Sequence, residues 1–212
     1  NKLKENKGKS ETQTENWIEQ DDVKKIYDDL KIKVLSTLKP RKCSDYSLLL
    51  SFIVLSLYVC NPPRRNKDYQ LMKITMHYNP EKDKKFNYYD IMNKKFYFNN
   101  YKTEKTYKCQ EVDISDELDS NLKMYLKYHP LIKDLKKEDI YLLVDCDGLP
   151  LTSINAITRI LNKIFDKNIG ASMLRNIYLT NKYGNENKEK QKDAVAMGTS
   201  SNTMDNNYIK QD

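Results

Sequence analysis

The chain has 212 residues, 37 Lys and Arg against 30 Asp and Glu, a net charge of +7 and a pI near 9.0. That length fits one good-sized domain, or a domain with an appendage, and the charge suggests a polyanionic partner, either nucleic acid or anionic lipid, beside the plainer reading of a soluble surface. Four scattered cysteines with no C-x-x-C spacing and two isolated histidines, His77 and His129, argue against a zinc or other metal centre and for a reduced intracellular compartment.

Residues 1–16 are nearly devoid of apolar side chains, which predicts a flexible arm or linker with order beginning at Trp17. From Asp21 onward Val23, Ile26, Tyr27, Leu30, Val34 and Leu38 recur at helical spacing, with Asp21 and Asp22 at the favoured N-terminal end and Pro40 closing the helix. Residues 46–60, YSLLLSFIVLSLYVC, are apolar on nearly every face but shorter than the roughly 20 residues that cross a bilayer. They predict a central core helix rather than a membrane anchor. Asn61-Pro62-Pro63 breaks that helix and leads into Arg64, Arg65, Asn66, Lys67 and Asp68, a charged cluster where an arginine would be held in place.

Met72, Ile74, Met76 and Tyr78 alternate with Lys73, Thr75 and His77, the period of a strand with one buried face. Residues 96–101 and 107–114 read as two further strands around YKTEKT, a turn that presents Lys102 and Lys105, so a small antiparallel sheet is expected. Ser115 is placed to cap a helix carrying Leu118, Leu122, Tyr125 and Leu126, ending at His129-Pro130. YLLVD, residues 141–145, suits a short strand or buried turn that exits at Asp147-Gly148. Ile154, Ile157, Ile160, Leu161, Ile164 and Phe165 form a core-facing helical stripe, started by Thr152 or Ser153 and ended near Gly170. A last helix over residues 171–183 turns Met173, Leu174, Ile177 and Tyr178 inward and carries Arg175. Residues 185–193, rich in Lys and Asn, are expected as a solvated loop or helix surface.

Four boxes in this order resemble those of the tyrosine recombinase (phage integrase) family, over about residues 17–210. PPRRNKD resembles the first arginine box, in which an arginine precedes an acid by three residues; Arg65 with Asp68 fits, and Arg64 would place Lys67 there. YKTEKT resembles the hairpin that bears the catalytic lysine, with Lys102 the better match than Lys105. SMLRNIYLT resembles the histidine-x-x-arginine box, with Arg175 in place and Ser172 where histidine is commonest. MGTSSNTMDNNY resembles the terminal box, with Tyr208 at the tenth position after Gly198 and Thr199 where His or Trp is usual. The Asn-, Lys- and Tyr-rich flavour is similar to integrases of large DNA viruses, virophages and related mobile elements.

The resemblance implies a mainly helical α+β catalytic domain over residues 17–212, lacking the family's N-terminal DNA-clamping domain. It implies attack by Tyr208 on a DNA phosphodiester, Arg65 and Arg175 gripping the non-bridging oxygens, and Lys102 protonating the departing 5′ oxygen. Arg64, Lys67 and Lys105 would contact DNA, with no metal, ATP or other cofactor. The implied partner is double-stranded DNA, held by a homotetramer that is monomeric alone, in a host nucleus or cytoplasmic viral factory. Ser172 and Thr199 replace two imidazoles by hydroxyls that do not titrate near neutral pH. Weakened catalysis, or DNA binding without turnover, is therefore the alternative, with a type IB topoisomerase beside it. A metal-dependent nuclease built on Asp145 and Asp147 is a further class, countered by the turn character of Asp147-Gly148.

Overall fold

A central apolar helix and a small sheet divide the core between them, and the chain between these two elements carries the charged cluster. The computed structural model describes residues 8–37 and 42–197. Among them lie eight α-helices and five strands, an α+β arrangement in which helix predominates. None of these helices is long and apolar enough to cross a membrane.

Helix α1 (Glu11–Asn16) corrects the expectation of an unstructured arm over its span. Ser10 and Gln13 form a reciprocal capping box, each side chain bonded to the other's backbone N–H. Asn16 accepts the backbone N–H of Asn168 at 2.9 Å, and the Lys9 ammonium sits 3.7 Å from the centroid of the Trp17 ring. These few polar contacts tie down a segment that has no apolar face to bury.

Helix α2 (Gln20–Ser36) buries Val23, Tyr27 and Val34 as its spacing predicts; Leu38 and Pro40 lie outside the described residues. Helix α3 (Cys43–Val59) is the centre of the fold. Phe52, Ile53, Val54, Leu55 and Leu57 are wholly buried, and α2, α6 (Asp116–Leu126) and α7 (Ala156–Phe165) pack around it. Burial of each such side chain contributes on the order of 1.5–3 kcal/mol, which explains why a helix without a polar face is stable here. Ser115 caps α6 as expected, accepting the N–H of Leu118.

The sheet has the order β4-β3-β2-β1-β5, with β1 (Lys73–Thr75), β2 (Tyr88–Asp90), β3 (Lys95–Phe98), β4 (Gln110–Asp113) and β5 (Ile140–Tyr141). It is mixed, not antiparallel: β1 and β2 pair in parallel, and the other neighbours are antiparallel. The reversal follows from the long connection between β1 and β2, which returns the chain to the same end of the sheet. Thr75 ends β1 by donating its hydroxyl to the His77 carbonyl, so Met76 is exposed instead of continuing the buried alternation.

Both hairpin strands are shorter than predicted, for a visible reason. The Asn87 side-chain oxygen accepts the backbone N–H groups of Asn99 and Asn100, each at 2.8 Å, which removes them from the ladder. The freed chain forms a one-turn helix, α5 (Glu104–Tyr107), before rejoining the sheet through Lys108 at φ +56°.

The N-cap of α7 is Asn155, three residues past Thr152 and two past Ser153, the two predicted starts. Ser153 instead accepts a hydrogen bond from Arg159 at 2.7 Å, and Ile154 is exposed outside the helical stripe. Helix α8 (Ala171–Ala196) runs through both the predicted final helix and the Lys/Asn-rich segment after it. A Cys43–Cys146 disulfide, which the expectation of a reduced compartment did not foresee, ties the start of α3 to the loop after β5. Closing a loop of that sequence length, 103 residues, restricts the unfolded chain by up to about 5 kcal/mol in the chain-entropy account.

Candidate active site

The segment after α3 is rigid because its neighbours staple it from both sides. Pro62 and Pro63 stop the helix, and Asn61 bridges to the next structural layer: its amide donates to the Asp113 carbonyl and its oxygen accepts the Ser115 N–H. Helix α4 (Asn66–Gln70) then begins with Arg65 in extended backbone at its N-cap, φ −77° and ψ 152°.

Arg64 is held on four sides. Its Nε donates to Asp68 Oδ2 at 2.9 Å, its Nη1 donates to Gln110 Oε1 at 3.0 Å, and its guanidinium carbon lies 3.7 Å from the Phe98 ring centroid and 5.3 Å from that of Tyr101. The arginine matched to Asp68 by the three-residue spacing of the family box was Arg65. The ion pair instead spans four residues, because Arg64 precedes the helix and folds over Phe98 to reach the carboxylate. Arg65 contributes its backbone carbonyl, which accepts the Asp68 N–H.

Asp68 is 3 % exposed, and its second oxygen, Oδ1, is buried without a partner. Burial raises its carboxyl above the ordinary carboxylate range, opposed mainly by the Arg64 charge and hydrogen bond and more weakly by Arg65.

Arg64 and Arg65 line a cavity of about 400 Å³ together with Arg175 from the second turn of α8. Asp68, Phe98 and Gln110 complete its working surface, and Asp68 is the one acidic residue in the lining. Arg65 and Arg175 are half-buried, and their guanidinium groups have no hydrogen-bond or ion-pair partner among the described residues. Three guanidinium groups against one carboxylate leave the cavity cationic, with two of the planar forks unpaired among the described residues. Oxyanions, and phosphates above all, match that fork geometry.

The remaining predicted residues divide clearly. Thr103, at the tip of the β3–β4 connection, lines the cavity; Lys102 beside it and Lys105 on α5 are exposed and are not among the lining residues. Lys67 is exposed on the other side of α4, in a separate groove with Lys85. Ser172 lies one helical turn before Arg175 and is exposed, outside the cavity lining. Tyr208 and Thr199 lie outside the described residues.

Two tyrosines do line the cavity, Tyr69 and Tyr101, but both hydroxyls are committed. Tyr101 donates to the Lys108 carbonyl at 2.7 Å and Tyr69 to the Leu57 carbonyl at 3.4 Å, and burial raises both above the ordinary phenol range. Neither is set up as a nucleophile.

Asp145 uses one carboxylate oxygen to accept the N–H groups of Asp147 and Leu149, at 3.0 and 2.9 Å, and Gly148 takes φ +83°. That is the work of a turn. Among the described residues no group of three or more His, Cys, Asp or Glu side chains is placed to hold a metal ion. His77 is exposed and His129 is a packing residue, its Nε2 at 2.9 Å from the Tyr141 carbonyl and its pKa pushed down to about 4 by burial.

Gln110, Phe98 and the Arg64–Asp68 pairing went unnoticed in the sequence. Period-two alternation in β4, which puts Gln110 on the face of Val112, was the available signal for Gln110. No family model, no curated protein and no solved structure matches this chain.

Proposed function

We propose that the chain is a DNA strand transferase of the tyrosine recombinase kind, working through a 3′-phosphotyrosyl link at Tyr208. The observation that carries this reading is the cavity in which Arg65 and Arg175, far apart in sequence, meet with open guanidinium groups. The order of the sequence boxes supplies the nucleophile, and the committed hydroxyls of Tyr69 and Tyr101 support a nucleophile from another part of the chain.

In this mechanism the Tyr208 oxygen attacks the scissile phosphorus, forming the O–P bond while the bond from phosphorus to the 5′ oxygen breaks. Arg65 and Arg175 hold the non-bridging oxygens and stabilise the charge that grows on them. Lys102 gives a proton to the departing 5′ oxygen, and the tyrosine proton passes to water. Attack by a second 5′-hydroxyl reverses these steps on a new strand. One phosphodiester replaces another, so ATP is not consumed.

Double-stranded DNA is the partner, bound by a homotetramer inside the cell, in a nucleus or a viral factory. A second reading, DNA binding with little turnover, is favoured by one observation: no histidine lines the cavity, and Ser172 points elsewhere. A suicide substrate, a nicked duplex that loses its 5′-hydroxyl fragment, separates the two. Strand transfer predicts a denaturation-resistant adduct that survives chelator and is lost in Tyr208→Phe. Salt-sensitive binding with no adduct would leave the binding module, and relaxation of supercoils without exchange between sites would leave a topoisomerase.

A further inference from the structure

The geometry points to Arg64 as a third phosphate-contacting residue, the pre-aimed member of the cluster, with Asp68 and Gln110 as the residues that position it. This rests on the reading of the cavity as a phosphodiester site. Arg64 was expected only to contact DNA, and neither Asp68 nor Gln110 had a role in binding.

The argument starts from which donors are already used. Arg64 spends Nε on Asp68 and one N–H of Nη1 on Gln110, while Phe98 covers one face of the guanidinium. Three N–H groups, one on Nη1 and two on Nη2, are left, and the residue lines the cavity. The two bonds and the stacked ring fix the plane of the fork before any ligand arrives. Among the described residues Arg65 and Arg175 have no such bracing.

Pre-organisation is what makes a donor effective at charge that develops during a reaction, since nothing then has to reorient. Arg64 therefore sets where the phosphate sits, and the two open arginines close on it. Asp68 suits the positioning role because it is buried and has one oxygen on Arg64, so its charge restrains the arginine. Gln110 is neutral, so it orients the fork without cancelling any of its charge.

Lysine cannot reproduce this arrangement, because a single ammonium has neither the two-point bracing nor the planar face. The test uses two readouts on the whole chain: binding of inorganic phosphate by calorimetry, and single-turnover cleavage of the nicked suicide duplex. Arg64→Lys is expected to weaken phosphate binding at least tenfold and to slow cleavage by about 10²–10³. Gln110→Met, which keeps the volume and removes the acceptor, should slow cleavage at saturating DNA while duplex affinity stays within about twofold. Gln110→Glu, which restores the acceptor, should recover most of that rate.

If Arg64→Lys folds, binds phosphate and cleaves as the wild type does, Arg64 is a structural brace and the inference is overturned. Equal loss in Gln110→Met and Gln110→Glu would overturn the positioning role. A wild-type chain that binds no phosphate overturns the inference too. A wild-type chain that binds phosphate through Arg64 and forms no adduct leaves the inference standing and removes the strand-transfer reading instead.

Discussion

The two sides of the cavity are built on opposite principles. The arginine side grows out of the core: Arg64 lies on Phe98, which is fully buried against Tyr69 and Phe96, and Arg175 rises from the turn of α8 that buries Met173, Leu174 and Ile177. The lysine side is a polar connection with Lys102 and Lys105 exposed and without a side-chain partner among the described residues. The difference teaches a division of labour. On the proposed reading, the groups that hold charge rise from packed backbone, and the group that would deliver a proton stands on an exposed polar connection.

Substitutions on the two sides should separate accordingly, the largest effects falling on the core-backed side. Phe98→Ala removes a buried ring and the floor beneath Arg64, and should cost about 3–5 kcal/mol in urea unfolding; a loss under about 1 kcal/mol would mean that the wall is not core-backed. Arg175→Ala should leave the unfolding curve nearly unchanged and lower the cleavage rate by about 10²–10³, read in single turnover. Unfolding of Arg175→Ala at much lower urea would recast Arg175 as structural.

Acid should act on the body through His129. His129 has its pKa lowered from 6.5 to about 4 by burial, so the unfolded chain binds the extra proton between those values and stability rises with pH across that window. Going from about pH 7 to about pH 5 should therefore cost about 2 kcal/mol, a dependence that His129→Asn removes. The smallest stability effects belong to the lysine turn: Lys102→Met and Lys105→Met should each stay within about 0.5 kcal/mol of wild type. Lys102→Met should still slow cleavage by about 10²–10⁴, and a substrate whose leaving group needs no proton should restore the rate. Failure of that rescue would take the general-acid role from Lys102.

Much of the helical framework was legible in periodicity. The apolar residues of α3, the Ser115 cap and the Ile157–Leu161–Phe165 stripe all sit where spacing puts them. The parallel β1–β2 pairing was not legible, because it depends on where a long loop returns. Nor was the one-turn helix in the hairpin, which exists because Asn87 captures backbone groups twelve and thirteen residues away. The disulfide joins Cys43 to Cys146 across 103 residues, beyond the reach of any spacing rule.

At the site, residue types were readable and partnerships were not. Arg65 and Arg175 do share one cavity with Arg64. Arg65 was chosen over its neighbour by the three-residue spacing to an acid in the family's first box. The ion pair to Asp68 is made by Arg64, four residues before it, while Arg65 is extended at the N-cap of α4.

The central claim is that this cationic cavity serves a covalent attack by Tyr208. Trapped DNA adduct can be digested with protease and nuclease and the linked peptide sequenced by mass spectrometry. The account predicts a single 3′-phosphonucleotide on Tyr208, with yield falling sharply in Arg65→Ala and Arg175→Ala. Label on any other residue, or full adduct yield in Tyr208→Phe, would contradict it.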